Sequence, residues 1–446
     1  MSESYPYNVQ QPLQFFRYPR QKRECRYKTV GGECETVKSY GNELPESSQQ
    51  DFQQPVKPSL LVCVDWFAPG TRAGGPIQSC TNLVRMLHRD LRIFVLTGDR
   101  DLGSDEPYPG VRSGRWNNWD GMASVRYATR QQHLCGEFLR TIRRTRPQAI
   151  YLNSMFSLFG TIVPTLIQSI TGRQTRLVLA PRGMLKPSAV AFRSWKKKPW
   201  LALVRRSGIG RLIQFHATSH EEADEIRNAF GNDAKVQVIP NIPRHPVSFV
   251  SPSGKQPGRL RLSFIGRVHP VKNLLFLLYV LQSIRCQCDL DVIGPIEDAE
   301  YYAECRRQIA LLPQNVAVTF SGALGHEDVM QILEKSDAMV LPTLGENFGH
   351  SIFESLSLGV PVLISDQTCW RQLADDKAGW DLSLSNSKRF AEVLELLGAM
   401  TADEHQELRN GAHQRAVQFF RQHDLRDSYL RLFSEHSQSQ TMSGTQ

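Results

Sequence analysis

A chain of 446 residues with 41% hydrophobic and 22% charged side chains is long enough for two globular domains and too long for one typical core. No stretch approaches the roughly 18 uncharged apolar residues of a membrane span, and Met1 to Pro6 lacks the basic-then-apolar pattern of a signal peptide, so neither insertion nor export is expected. The net charge of +9 suits anionic partners such as nucleotide diphosphates, lipid headgroups or nucleic acid, and nine scattered cysteines point to free thiols in a reducing cytoplasm.

Residues 1–56 are polar, rich in Gln, Ser and Glu, and carry no sustained period, so they read as a disordered extension. Order is expected from Ser59 to Asp65, a buried strand, followed by a loop with Gly74-Gly75 and a helix marked by Ile77, Leu83, Val84 and Leu87. Strand, glycine loop and helix start form a phosphate-compatible arrangement, although a tight turn explains Gly74-Gly75 equally well. Arg92 to Thr97 reads as a strand and Asp99 to Trp119 as a long polar loop suited to acceptor contact. A helix ending near Pro147, a strand over Ala149 to Asn153 and a helix over Ile162 to Ile170 follow. The next strand, Leu177 to Ala180, runs into Pro181-Arg182-Gly183-Met184-Leu185. Arg182 reads either as a ligand of a donor phosphate or acidic acceptor, or as a surface loop residue.

Arg193 to Arg206 is the most basic stretch, with Trp195, Trp200 and Lys196 to Lys198, and Pro199 suits a helix's first turn. Two readings stay open for it: docking on an anionic membrane surface, or a solvated face of a helix whose other side is core. Leu212 to Ser219 is the next strand, and His216, flanked by apolar residues, reads as a satisfied core histidine. The first domain is placed at 57–241, a Pro-, Ser- and Gly-rich linker at 242–258 and a second domain at 259–402. That second domain opens with a strand over Leu260 to Ile265, then Gly266-Arg267 and Lys272-Asn273 around a loop. Asp289-Leu290-Asp291 imitates a metal motif but falls at a predicted strand and is set aside. Strands over Leu290 to Gly294 and Val316 to Gly322 and helices over Tyr301 to Leu312 and Val329 to Leu333 come next. Gly379-Trp380 is taken to end an element, Phe390 to Leu397 and Gln406 to Phe433 to be helical, and 436–446 to be frayed.

The most informative stretch lies between these. Ala338 to Leu341 is one buried strand, Pro342 to Gly345 breaks it, and Ile352, Phe353, Leu356 and Leu358 return at helical spacing before Gly359-Val360-Pro361 and a new strand. This is a βαβ unit of a parallel sheet, whose ligands bind at the carboxyl ends of the strands. Glu346 to Gly349 would stand there, at a helix start whose free N–H groups favour an anion. Glu346 and Glu354 would repel a phosphate, so they suit the hydroxyls of a sugar and a ribose.

Two glutamates seven residues apart, Asn347-Phe348-Gly349 after the first, Glu354-Ser355-Leu356 and Gly359-Val360-Pro361-Val362 resemble the donor signature of the family-4 retaining glycosyltransferases. The resemblance covers about residues 57 to 435. It implies an α/β GT-B fold of two Rossmann-like doubly wound parallel-sheet domains facing a cleft, with the terminal helix, placed at 403–435, crossing back to the first. By it Glu346 contacts the transferred sugar and Glu354 the ribose, while the N–H groups of Asn347, Phe348 and Gly349 face the diphosphate. Arg267 and Lys272 grip that diphosphate beside Gly266, and Gly74 and Gly75 border donor and acceptor. Asn273 stands where Gly is common. Many relatives carry a His near the donor sugar; Pro181-Arg182-Gly183 replaces it here, a feature that resembles the polysaccharide-assembly branch. The implied activity is retaining hexosyl transfer from a nucleotide-diphosphate sugar to a saccharide or lipid-linked acceptor, in surface polysaccharide or lipid-linked oligosaccharide synthesis. No cofactor or divalent metal is required by the pattern, and the expected location is cytoplasmic, peripheral on the inner face of the membrane if the basic stretch docks. An epimerase or hydrolase on the same fold and a silent partner protein are the alternatives. No aromatic-basic motif supports nucleic acid.

Overall fold

The computed structural model describes residues 57–129, 136–171, 175–191, 194–248 and 251–434. The expected extension at 1–56, the tail at 436–446 and Arg193 lie outside them. Two sheets form. In chain order the first contains β1 (Ser59–Cys63), β2 (Arg92–Gly98), β3 (Trp116–Trp119), β4 (Ala123–Ala128), β5 (Ala149–Asn153), β6 (Arg176–Ala180), β7 (Ile213–Ala217) and β8 (Lys235–Val238). They lie in the order β3-β4-β2-β1-β5-β6-β7-β8, parallel except for β3 on β4. The second contains β9 (Arg259–Ile265), β10 (Gln287–Ile293), β11 (Val316–Gly322), β12 (Ala338–Leu341), β13 (Val362–Ser365) and β14 (Gly379–Leu382), in the order β11-β10-β9-β12-β13-β14, all parallel. Strands of this kind are covered on both faces, which is why β1, β12 and β13 are unbroken runs of buried residues.

Each sheet reverses its strand order once. In the first, the chain leaves β1 for β2 and later returns to the other side of β1 as β5; in the second, it leaves β9 for β10 and returns as β12. Crevices form at the carboxyl ends beside such reversals. They lie between β1 and β5 and between β9 and β12.

The helices in chain order are α1 (Gly75–Leu87), α2 (Gly136–Thr145), α3 (Val163–Thr171), α4 (Pro187–Ala191), α5 (Ser194–Arg206), α6 (His220–Phe230), α7 (Leu274–Leu281), α8 (Ala299–Ile309), α9 (His326–Lys335), α10 (His350–Ser357), α11 (Ser387–Ala399), α12 (Ala402–Gln422) and α13 (Leu425–Ser434). Leu425, Tyr429, Leu432 and Phe433 of α13 are buried with Leu60, Val62 and Val178 of the first sheet, whereas Leu408, Ala412 and Ala416 of α12 belong to the core of the second. The C-terminal helices therefore tie the two sheets together. Among the described residues no helix is long and apolar enough to cross a membrane.

Four expectations need correction. The polar loop from Asp99 ends in β3, which pairs antiparallel with β4, an edge hairpin that carries Arg126 and Ser124 between buried neighbours. Gly379-Trp380 opens β14 rather than ending an element. The single helix over Gln406 to Phe433 is two, because Asp424 takes the N–H groups of Asp427 and Ser428 and starts α13 afresh. Pro199 lies inside α5, not in its first turn. Buried Trp200 and Val204 hold that helix to the core on one side while Pro199 faces outward.

Candidate active site

The crevice between β9 and β12 gathers the second domain's expected residues. Beyond β12, Thr343 fixes the loop: its hydroxyl bonds to the carbonyls of Val271 and Gly345, and its own carbonyl accepts from Ser365 Oγ at 2.5 Å. Gly349 then starts α10 with φ 75°. A Cβ there would lie 2.6 Å from Ile352 Cδ1 and on left-handed backbone, so any other residue is strained at this position. The N–H groups of Asn347, Phe348 and Gly349 donate to no protein acceptor among the described residues. The Phe348 ring is core, packed on Trp370, Phe353 and Phe419, and its carbonyl accepts from Trp370 Nε1 at 2.6 Å. Its contribution to the crevice is therefore backbone.

Lys272 Nζ and a carboxylate oxygen of Glu346 form an ion pair, both side chains about one-sixth exposed. The lysine stem runs along Gly266, where a Cβ would meet Lys272 Cγ and Cδ at 3.4 Å. Asn273 has φ 59° and ψ 39°, left-handed backbone that glycine adopts freely and asparagine tolerates best among the rest. That explains how asparagine stands where glycine is common. Arg267 is directed elsewhere, to Glu297 at 2.6 Å, and more than a third of its side chain is exposed. The structure thus joins Lys272 to Glu346 and leaves Arg267 at the rim. Asp289 and Asp291 both sit on β10, and Asp289 pairs with Arg259 at 2.7 Å.

Glu354, on α10, is nearly buried and accepts a hydrogen bond from Gln78 of α1. Burial pushes its carboxyl up to about 7, against the pull of Arg244 and that bond. His326 Nδ1 lies 3.7 Å away, and burial, helped by Arg244 and Arg85, lowers it to about 4, so it is neutral near pH 7.

Loops of the first domain close the crevice from the other side. His350 Nε2 bonds Ser79 Oγ of α1 at 2.9 Å, and the imidazole is pushed down to about 3 by burial and by Arg182. Gly75 faces the same ring, for a Cβ on it would meet His350 Cδ2 at 3.9 Å; Gly74, with φ 62°, caps α1 beside it. Asn347 Oδ1 accepts from Thr218 Oγ1 at 2.8 Å. Arg182 is no surface loop residue. Its own backbone is left-handed, φ 58°, and its guanidinium turns inward to Asn241, to Asn153 at 3.2 Å and to Tyr151 Oη at 2.7 Å. Asn241 in turn lies 3.5 Å from Ser79 Oγ, so Arg182 reaches His350 through a polar chain. His216 is the core residue foreseen: buried, bonded to Tyr151 and the Ile239 carbonyl, and lowered to about 3 by burial and Arg182. Sequence reasoning missed Gln78, Ser79, Thr218, Arg244, His326 and His350. His350, adjacent to Gly349, is the one whose position in the motif could have drawn notice.

Two family models match along the chain. Residues 249–415 match "Glycosyl transferases group 1" and residues 74–242 match "Glycosyl transferase 4-like domain". The chain belongs to the group 1 glycosyltransferases, of family-4 type and GT-B fold. Among solved structures, sucrose-phosphate synthase from Thermosynechococcus elongatus superposes with TM-score 0.65 at 15% identity, over 84% of this chain and 98% of that one. Anabaena HepE in complex with UDP and glucose gives 0.59 at 17% identity, over 84% and 98%. WaaG, described as a glycosyltransferase involved in lipopolysaccharide biosynthesis, gives 0.57 at 13% identity, over 84% and 100%. At these identities the likeness is one of fold. No curated protein sequence matches. The crevice between β9 and β12 lies outside the carboxyl ends of the strands, at the strand-order reversal where open α/β sheets bind their ligands.

Proposed function

We propose that this glycosyltransferase moves a hexosyl group from a nucleoside-diphosphate sugar to a sugar hydroxyl with retained anomeric configuration. The observation that carries the proposal is the meeting of Lys272, Glu346 and the unpaired N–H groups of Asn347 to Gly349 at the strand-order reversal. Those N–H groups and Lys272 face the diphosphate, Arg267 swings from Glu297 to join them, and Glu354 accepts from the ribose hydroxyls. Glu346, held by Lys272, accepts from the hydroxyls of the transferred sugar. In the reaction the bond from the anomeric carbon to the phosphate oxygen breaks. The acceptor oxygen bonds that carbon from the same face, and its proton passes to the departing phosphate oxygen. Negative charge grows on the diphosphate, and preorganised cations favour that change. A separate base is not needed, consistent with His216 and His350 being buried, neutral and already bonded.

Bound UDP in HepE and UDP-2-fluoro glucose in an Escherichia coli relative favour a uridine nucleotide. A thermal-shift comparison of UDP, GDP and ADP tests this. At 100 times its Kd the correct nucleotide adds about 2.7 kcal/mol of stability, a shift of several degrees. Stabilisation by UDP alone is expected. No shift with any of the three would overturn the proposal in favour of a silent partner protein.

We also propose that α5 rests on an anionic membrane, which fits a lipid-linked acceptor in surface polysaccharide assembly. Its outer face exposes Trp195, Lys196, Lys198, Leu203, Arg205 and Arg206. Lys197 instead turns to the Ala189 carbonyl at 2.6 Å. Each basic residue near anionic lipid contributes about 1 kcal/mol. Cosedimentation with anionic vesicles should be lost when Lys196 and Lys198 become Glu; binding that survives the exchange counts against this surface.

A further inference from the structure

Among the described residues, Asn347, His350 and Glu354 carry the start of α10 onto the first domain, at Thr218, Ser79 and Gln78. The contact at Thr218 rests on a further side chain. Glu222 of α6 is 2% exposed, and three donors meet its carboxylate: the N–H of Thr218 at 2.7 Å, the hydroxyl of Thr218 at 2.6 Å and the N–H of Gly183 at 2.5 Å. Ser219 already caps α6 by accepting from the Glu222 N–H at 3.2 Å. In a capping box the glutamate would take the Ser219 N–H in return. Here its bonds run instead to the residue before the cap and, 39 residues back, to the turn after β6. It therefore joins the ends of β6 and β7. Asn347 lies against both, on Thr218 and on Gly183, where a Cβ would meet the Asn347 Cβ at 3.6 Å. We infer that Glu222 is a positioning residue: through Thr218 it fixes the side chain of Asn347, and so holds the helix start with the anion-facing N–H groups against the first domain.

The proton count decides the polarity of the contact. Thr218 Oγ1 lies 2.6 Å from Glu222 Oε2 and 2.8 Å from Asn347 Oδ1, and a hydroxyl has one proton for these two oxygens. The carboxylate is the nearer and the stronger acceptor, so the proton stays with Glu222. Thr218 then offers Asn347 only lone pairs. A half-turn of the Asn347 amide exchanges its oxygen and nitrogen in place and sets Nδ2 to donate to Thr218 Oγ1. Residue 347 is thereby required to be a donor. Alanine supplies none. Aspartate matches asparagine in shape but sets a charged oxygen against an oxygen whose proton is already committed.

The effect on nucleotide rests on the glycosyltransferase reading above, whereas the closure itself is read without a ligand, so the two can fail separately. Small-angle scattering of the full, unliganded chain gives the radius of gyration. Asn347→Asp should enlarge it more than Asn347→Ala does, although aspartate is the closer match in shape. Thr218→Val should enlarge it and Thr218→Ser should keep the wild-type value. Glu222→Gln, whose amide has one acceptor oxygen for three donors, should follow Thr218→Val. UDP affinity by calorimetry should fall roughly threefold to tenfold in Thr218→Val, the worth of one hydrogen bond, and be kept in Thr218→Ser. An Asn347→Asp variant as compact as wild type would overturn the inference. So would a Glu222→Gln variant that melts earlier but keeps wild-type compactness and UDP affinity, since Glu222 would then serve the helix start alone. Should Glu222→Gln fail to fold, the Thr218 and Asn347 variants decide the matter. Scattering differences as expected in a wild type that binds no UDP would sink the donor reading and leave the closure through Glu222 standing.

Discussion

Lys272→Ala should slow release of nucleoside diphosphate from the donor by about 10²–10³-fold, ~3–4 kcal/mol, with the fold intact. Two effects act together. The variant loses the cation that the proposed mechanism sets against the departing phosphate, and it leaves Glu346 a carboxylate without its counter-charge. Lys272→Arg should restore little. The lysine stem runs along Gly266, and a planar guanidinium on a different stem does not place one point charge at the same spot. Arg267→Ala should cost less, about tenfold, because that side chain is more exposed and already shared with Glu297. Lys272 and Glu346 act as a unit, so the Lys272→Ala, Glu346→Gln double variant should lose less than the two single losses combined. Steady-state kinetics with the nucleotide-sugar checks this. Near wild-type turnover in Lys272→Ala, or strict additivity with Glu346→Gln, would remove the pair from the catalytic machinery.

The second domain was legible because β12 and β13, which flank its motif, are buried on both faces. Ala338 to Leu341 and Val362 to Ile364 are continuous apolar runs, and glycine and proline punctuate them. The hairpin of β3 and β4 was not, because an edge strand with Ser124 and Arg126 between buried positions resembles a polar loop locally. In the site, residues adjacent in the motif could be read from their order, since one turn brings Glu346 to Gly349 together. Their partners could not. Ser79 meets His350 across 271 residues and Thr218 meets Asn347 across 129, contacts that exist only once both domains are folded and opposed. Arg182 shows the same limit in another form. Nothing local in Pro181-Arg182-Gly183 says that its backbone is left-handed and its side chain turned inward.

Glu354→Gln should stabilise the protein in alkaline conditions and weaken nucleotide binding at once. The carboxyl titrates near 7 in the fold because it is buried, against 4.5 when unfolded, so the folded state binds more protons between those values. Stability contributed by this group is therefore fully present below pH 4.5 and is lost as pH rises through 7, a penalty of about 3 kcal/mol above it. Glutamine has no such penalty, so its Tm advantage over wild type should grow by several degrees between pH 5 and 8. Binding runs the other way. Ribose hydroxyls donate to an ionised carboxylate, so wild-type affinity for UDP should rise from pH 6 to 8 and level off above. His326, already neutral over this interval, adds no opposing change. The glutamine variant should show a flat profile and an affinity lower by about tenfold or more at pH 8, since an amide offers one acceptor where the carboxylate offers two. Parallel pH profiles in the two proteins would mean that the ribose is held elsewhere. A wild type that gains Tm with pH relative to the variant would mean that Glu354 is ionised without cost, which its burial beside Gln78 and neutral His326 does not allow.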